Sequence, residues 1–286
     1  MKQLENVITE KYFLNINFSD QREMNVFFSY LRGFSILFLD NSIKNILEIG
    51  AGQSTSLLSK FGQKMGWNLI TIDMNPDSIE LKLRNKIDSE DTLRNISFRK
   101  GVSISVEDIK KYYQKNIDFI GGIPFKEALN FASEFIETIM DPRKINNINK
   151  ILNVDSFNKE IFFKKILDKT IHFKDIINIY RTPGNELDFI DLSKHDSFKP
   201  LLQSIMCDEN IDVVFLDSGE FSSLPEWDIV ESKLRLGGYV ILHDIFFPKS
   251  FKNWLVAGSI KANPNYKIWF IDDTTPQGLL VAQKIK

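Results

Sequence analysis

The run Asn45-Ile46-Leu47-Glu48-Ile49-Gly50-Ala51-Gly52-Gln53-Ser54-Thr55-Ser56-Leu57-Leu58 constrains this chain more than any other stretch, because a short apolar strand breaks into a glycine turn that opens a helix. Gly50 and Gly52 carry no Cβ, so the backbone can turn sharply and let a ligand lie against its amides. The Ser54 and Thr55 hydroxyls are placed to cap a helix beginning near Ser56. This is the layout of a nucleotide-binding βα unit, with the ligand at the carboxyl end of the strand. A tight turn without a ligand is the bland alternative.

A second strand, Asn68-Leu69-Ile70-Thr71-Ile72-Asp73, ends in a carboxylate 23 residues after Gly50, near the spacing of about 20 expected of an acid that accepts a ribose hydroxyl. Asp73 is therefore the expected ribose ligand, with Met74 beside it. The dinucleotide fingerprint G-x-G-x-x-G is incomplete, since Thr55 stands at the third glycine position and the acidic Glu48 lies two residues before the first glycine. A pyrophosphate needs the glycine-lined helix start; a nucleoside without phosphates does not.

Asn75-Pro76-Asp77-Ser78 reads as a turn and helix start, Ser78 to Lys86 as helix, and Ile96 to Lys100 as a third strand. The order β-α-β-α-β predicts an α/β fold with a parallel, doubly wound, Rossmann-like sheet. Upstream, the apolar run from Val26 to Leu39 is broken by Ser29, Arg32, Gly33 and Ser35 and is too short to cross about 30 Å of hydrocarbon, so it reads as a buried helix with no membrane role. The expected organisation is a helical segment over 1–40, a core over 41–103 and 205–286, and a mostly helical insertion over 104–204.

Within that insertion Ala128, Phe131, Ala132, Phe135, Ile136 and Ile139 recur at helical spacing, and a second helix is expected from Phe157 to Ile171. It reads either as a cap over the ligand edge of the sheet or as an element for homo-oligomer formation. A net charge of −2 and a pI near 6.0 provide no general attraction to polyanions, so nucleic acid is not an expected partner. The lone Cys207 excludes an intramolecular disulfide, and the start MKQLENVITE lacks a signal-peptide pattern, which together point to the cytoplasm.

A second constellation follows the insertion. Ile211-Asp212-Val213-Val214-Phe215-Leu216-Asp217 is a buried-strand run ending in an acid, then Ser218-Gly219-Glu220 and a helix. Leu236-Gly237-Gly238-Tyr239-Val240-Ile241-Leu242-His243-Asp244 repeats the design. Adjacent strands lie about 4.8 Å apart, so Asp217 and Asp244 at corresponding ends could reach one divalent cation, and hard carboxylate oxygens suit Mg²⁺. His243 has three readings: a base for a substrate hydroxyl, a metal ligand, or a histidine hydrogen-bonded at the sheet end. Side chains alternate along a strand, so His243 and Asp244 are expected to start on opposite faces; Asp244 is then preferred for metal and His243 for base. Two more strands, Tyr266 to Ile271 and Leu279 to Ala282, flank the turn Thr274-Thr275-Pro276-Gln277-Gly278 and form a terminal hairpin.

Glu48-Ile49-Gly50-Ala51-Gly52-Gln53-Ser54 resembles the first motif of class I S-adenosylmethionine (SAM) dependent methyltransferases, and the likeness covers 45–80 and about 205–286. The strand-Asp217 and Gly-Gly-strand-His243-Asp244 pattern is similar to their metal-dependent small-molecule and sugar O-methyltransferase branch. The resemblance implies a methyltransferase sheet with the terminal hairpin at one edge. It also implies SAM bound by Glu48, Gly50, Ala51, Gly52, Ser54, Thr55, Asp73, Met74 and Asp217, with adenine held by Gly101, Val102 and Ser103. Leu187 to Asp191 remains the other strand that could carry that contact. Mg²⁺ on Asp217 and Asp244, with His243 or Glu220 taking the proton, would serve O-methylation of a small molecule or sugar. Two departures are the His243-Asp244 pair where catechol-type members have Asp-Asn, and Glu220 near where sugar-acting members have histidine. The rival readings are a nicotinamide-dependent oxidoreductase and a SAM-binding protein without catalysis.

Overall fold

The computed structural model describes residues 20–77, 80, 94–115, 117–136, 149–150, 158, 161–162, 164–165, 198–219, 221–247, 250 and 252–286. Helix α1 (Gln21–Ser35) opens on Asp20, whose side chain accepts the Glu23 N–H at 2.8 Å, and buries Phe27, Tyr30, Leu31 and Phe34 along one stripe. A 3₁₀ turn (Ile36–Leu39) then leads to β1 (Asn45–Ile49), α2 (Gln53–Met65) and β2 (Asn68–Asp73). Strand β3 (Ile96–Lys100) closes the first half. No helix among the described residues is long and apolar enough to cross a membrane.

After β3 the chain makes a long excursion. Helix α3 (Val106–Gln114), a small hairpin of β4 (Phe119–Ile120) and β5 (Ile123–Pro124), and α4 (Phe125–Ala132) come first. The path returns at Lys199–Leu202, where Val102 and Pro200 form a parallel bridge and the Leu201 N–H donates to the Val102 carbonyl at 2.9 Å. Helix α5 (Leu202–Asp208), β6 (Val213–Leu216), α6 (Ser223–Lys233), β7 (Tyr239–His243), α7 (Trp254–Ala262), β8 (Tyr266–Asp272) and β9 (Leu279–Lys284) complete the chain.

Seven strands form one sheet in the order β3-β2-β1-β6-β7-β9-β8. β1, β2, β3, β6 and β7 run parallel, while β9 lies antiparallel between β7 and β8. The order reverses between β1 and β6, a topological switch point whose carboxyl-side crevice is the preferred ligand position in open α/β sheets. This is the doubly wound, Rossmann-like sheet with a terminal β-hairpin edge that the strand runs predict.

Alternation along the strands divides the core. Ile46, Leu69, Val213, Phe215, Ile241 and Val281 face α1 and α2, whereas Leu47, Ile70, Val214, Leu216 and Leu242 face α5, α6 and α7. Helix α4 packs on α7 through small residues: a Cβ at Gly258 would stand 2.3 Å from the Ala128 carbonyl oxygen. The Trp254 indole N–H donates to the Ala132 carbonyl at 2.8 Å, and the Ser259 hydroxyl donates to that of Ile120 at 2.7 Å. The described start of the excursion is thus built into the second core layer.

The helix expected through Ile139 is α-helical only to Ala132, tightens to a 3₁₀ turn over Ser133–Phe135, and ends where Ile136 pairs with Phe247 in a β-bridge. Tertiary pairing there overrides a continuing apolar period. Most of the expected 157–171 helix lies outside the described residues, as do most of 78–86 and all of 187–191.

Candidate functional site at the carboxyl edge of the sheet

The glycine turn is held from below. Glu48, fully buried on β1, accepts hydrogen bonds from the hydroxyls of Ser54 at 2.6 Å, Thr55 at 2.8 Å and Thr71 at 2.9 Å. Burial pushes its carboxyl up to about 7 against the lowering effect of those hydroxyls. The helix starts at Gln53 with Gly52 at its N-cap, not near Ser56. Ser54 and Thr55 therefore stand inside the first turn, and Thr55 Oγ1 accepts the Gly52 N–H at 2.9 Å. This geometry places Glu48, Ser54 and Thr55 beneath the loop as its scaffold, with the backbone of Gly50, Ala51 and Gly52 above them.

Gly50 adopts φ +89°, and a Cβ there would meet the Asp217 carbonyl oxygen at 2.3 Å. Both facts require glycine, because the turn after β1 lies directly on the chain leaving β6. Gly52 is exposed and a Cβ there would touch nothing within 4 Å, so an open surface borders the turn. Asp73 closes the far side: its carboxylate accepts the Ala51 N–H at 3.2 Å and the Asn75 N–H at 2.7 Å. Met74 next to it is 38% exposed and borders the turn's open side.

The segment after β3 is covered. Gly101 and Val102 are buried, and a Cβ at Gly101 would stand 2.9 Å from the Lys199 carbonyl oxygen. Ser103 donates its hydroxyl to buried Glu226, which also receives Ser218 at 2.5 Å. Glu226 thereby ties the loops after β3 and β6 together, and burial raises its pKa although the serine hydroxyls pull the other way.

Across the turn, Asp217, His243 and Asp244 converge, with ligand atoms all within 4.8 Å of one another. His243 Nδ1 is 3.2 Å from Asp217 Oδ1 and 3.7 Å from Asp244 Oδ2. The opposite-face expectation for His243 and Asp244 fails because Asp244 takes φ +58°, the only positive value at a non-glycine among the described residues. The left-handed turn breaks strand alternation and brings both side chains to one place; Asp tolerates it better than most residues.

Two residues that the sequence reading missed complete the cluster. Tyr30, from α1, places its hydroxyl 3.3 Å from Asp217 Oδ2 and 3.1 Å from His243 Nδ1. Lys252, just before α7, sets its ammonium 3.1 Å from Asp217 Oδ1 and 3.0 Å from Asp244 Oδ2. Next to Lys252, the side-chain amide of buried Asn253 donates to the carbonyls of Leu216 at 3.0 Å and His243 at 2.7 Å, locking the start of α7 onto the ends of β6 and β7. Glu220 lies outside the described residues.

The electrostatics follow from this packing. Burial opposes ionisation of Asp217, but His243 and Lys252 outweigh it and hold the carboxyl below its ordinary range. For His243 burial disfavours the charged ring, yet the Asp217 carboxylate and its hydrogen bond, with Asp244, raise the pKa overall. Tyr30 is pushed well up by burial and by the Asp217 and Asp244 charges, so it remains a neutral phenol.

The surroundings fit a nucleoside cofactor: an open glycine turn, amides at a helix start, and a strand-end carboxylate with lone pairs to spare. The fit to Mg²⁺ is poor. The three side chains are of the right chemical type, but an ammonium already bridges the two carboxylates. At about 4 Å and an effective dielectric of ~20, a divalent ion and that ammonium would repel by about 8 kcal/mol.

No protein-family profile and no curated protein matches the sequence. Solved structures do resemble it. A Klebsiella pneumoniae protein provisionally designated an O-methyltransferase is 11% identical, with TM-score 0.41, over 99% of this chain and 97% of its own. A Bacillus cereus O-methyltransferase in complex with S-adenosylhomocysteine is 12% identical, with TM-score 0.40, over 99% and 91%. An O-methyltransferase from Streptomyces achromogenes involved in tomaymycin synthesis, in complex with SAM, is 10% identical, with TM-score 0.38, over 100% and 89%.

Proposed function

We propose that this chain is a SAM-dependent methyltransferase acting on a hydroxyl of a small molecule or sugar. The supporting observation is the sheet itself: β9 enters antiparallel between β7 and β8, where a nicotinamide-oxidoreductase sheet would continue by parallel crossover units. At the switch point of that sheet the glycine turn, Asp73 and the Asp217 cluster share one edge.

In this reading Asp73 accepts from the ribose hydroxyls, and the backbone of Gly50, Ala51 and Gly52 cradles the nucleoside end. The cofactor supplies a methyl group on a sulfonium, already a good leaving group. The chain's own tasks are to align the acceptor oxygen, exclude water and take the hydroxyl proton. His243 is the proposed base. Its Nδ1 side is engaged by Asp217 and Tyr30, which fixes the ring and leaves Nε2 to receive the proton. Asp217 then stabilises the imidazolium.

Calorimetric titration with SAM, repeated with Asp73→Ala, tests the proposal. Binding that the substitution weakens at least about tenfold, the loss of roughly one charge-assisted hydrogen bond, supports it. Absence of SAM binding by the wild-type protein would remove it, and NADH binding in its place would favour the oxidoreductase reading.

A further inference from the structure

We propose that Lys252 is the resident cation of this site, standing between Asp217 and Asp244 where a divalent metal would otherwise sit, and that the site works without such a metal. Its functional half rests on the methyltransferase reading; its ion-binding half does not.

The placement of the ammonium is built in. Asn253 fastens the adjoining backbone to the ends of β6 and β7, the Ser223 hydroxyl donates to the Lys252 carbonyl, and the Lys252 N–H donates to Ser250 Oγ at 3.2 Å. From that anchored backbone the side chain reaches both carboxylates at near-equal distances, 3.1 and 3.0 Å. Contact with two carboxylates compensates the ammonium for the water it loses on packing there.

The charges also match. Two carboxylates facing one ammonium already have most of their charge compensated, and adding a dication would make the cluster positive overall. Removing the ammonium would leave two half-buried acids and a buried histidine within reach of one another, a donor set suited to a divalent ion. Lys252 acts as a positioning residue: its ammonium bridges both carboxylates and holds Asp217 against His243.

The test uses Mn²⁺ as probe, followed by electron paramagnetic resonance on the full chain without SAM. The wild-type protein is expected to hold no Mn²⁺ at submillimolar concentrations, Lys252→Met to gain affinity by about tenfold or more, and Lys252→Arg to behave as wild type. Submillimolar Mn²⁺ binding by the wild type that Asp217→Asn abolishes would overturn the proposal. A folded Lys252→Met protein with no gain in affinity would also overturn it. If Lys252→Met does not fold, the wild-type titration decides alone. In the presence of chelator, any methyl transfer is expected to persist in wild type and Lys252→Arg and to fall in Lys252→Met, with its pH profile displaced because Asp217 no longer faces an ammonium. Failure to bind SAM would sink the methyl-transfer reading while leaving the Mn²⁺ result intact.

Discussion

Tyr30 Oη lies 3.1 Å from His243 Nδ1, so the helix that opens the described chain touches the end of the fifth parallel strand of the sheet. The rings are also packed, with centroids 4.9 Å apart. The same hydroxyl faces Asp217 Oδ2, and its pKa is raised well above the ordinary phenol value. Tyr30→Phe keeps the ring packing but leaves Asp217 short of a donor. The expected cost is about 1–2 kcal/mol in urea unfolding, with SAM affinity nearly unchanged. An equally large loss of SAM affinity would mean that α1 shapes the cofactor end of the cleft instead.

The Glu48 carboxyl is raised from an ordinary 4.5 to about 7 by burial. A group with a raised folded-state pKa stabilises the fold fully below its unfolded pKa, and that stability is lost as pH rises through the folded value. The loss here, spread over roughly pH 4.5 to 7, amounts to about 3 kcal/mol. Glu48→Gln has no proton to lose. Its unfolding free energy should match wild type near pH 4.5 and exceed it by about that amount near pH 8. Comparing the two proteins isolates Glu48 from His243, which titrates in the same direction. A constant difference across pH would refute the assignment.

His243 carries the pH dependence of the proposed chemistry. Its pKa is raised above 6.5, with burial outweighed by the Asp217 charge and hydrogen bond and then by Asp244. A base must be neutral to act, so kcat/KM is expected to rise with pH through a value above 6.5. Asp217→Asn removes the main raising influence, moves that limb to lower pH and reduces the plateau. The imidazole resonance of His243, followed by NMR titration, checks the shift without needing activity. An unmoved titration in Asp217→Asn would dissociate the pair.

Much of this arrangement was readable before folding, for local reasons. Asn68–Asp73 and Ile96–Lys100 are strands over the residues that their apolar runs and bounding polar residues mark, and Tyr266–Asp272 and Leu279–Lys284 pair as the terminal hairpin. Each strand-end acid is legible because the carboxyl end of a parallel strand is where a sheet opens to ligand. Tyr30 and Lys252 were not legible. Tyr30 lies in an apolar stripe that reads as core, and Lys252 belongs to a short loop with no period; both reach Asp217 only through long-range packing. The convergence of His243 and Asp244 was not legible because alternation assumes strand geometry, and nothing local announces a left-handed aspartate. The resemblance alone makes Glu48 a cofactor residue; its full burial beneath the turn is not legible, because its spacing to Gly50 says nothing of which face of β1 it occupies.

Gly50 joins the two halves of the site, which makes it the sharpest single substitution. Its φ of +89° is unfavourable for any side chain, and a Cβ would stand 2.3 Å from the Asp217 carbonyl oxygen and 2.9 Å from the carbonyl carbon, backbone that cannot rotate away. Relief requires the turn after β1 and the chain after β6 to separate. That motion would carry Ala51 away from Asp73, whose carboxylate it meets at 3.2 Å, and Asp217 away from His243 at 3.2 Å. Gly50→Ala is therefore expected to lower stability by about 2 kcal/mol or more and to weaken SAM binding beyond what Asp73→Ala alone produces. Gly52→Ala is the control, since a Cβ there meets no neighbour within 4 Å and Gly52 has no positive φ. It should fold with near wild-type stability, and any affinity that it loses measures the space the ligand needs beside the turn. If Gly50→Ala binds SAM as well as wild type by calorimetry, the turn is not the cofactor cradle.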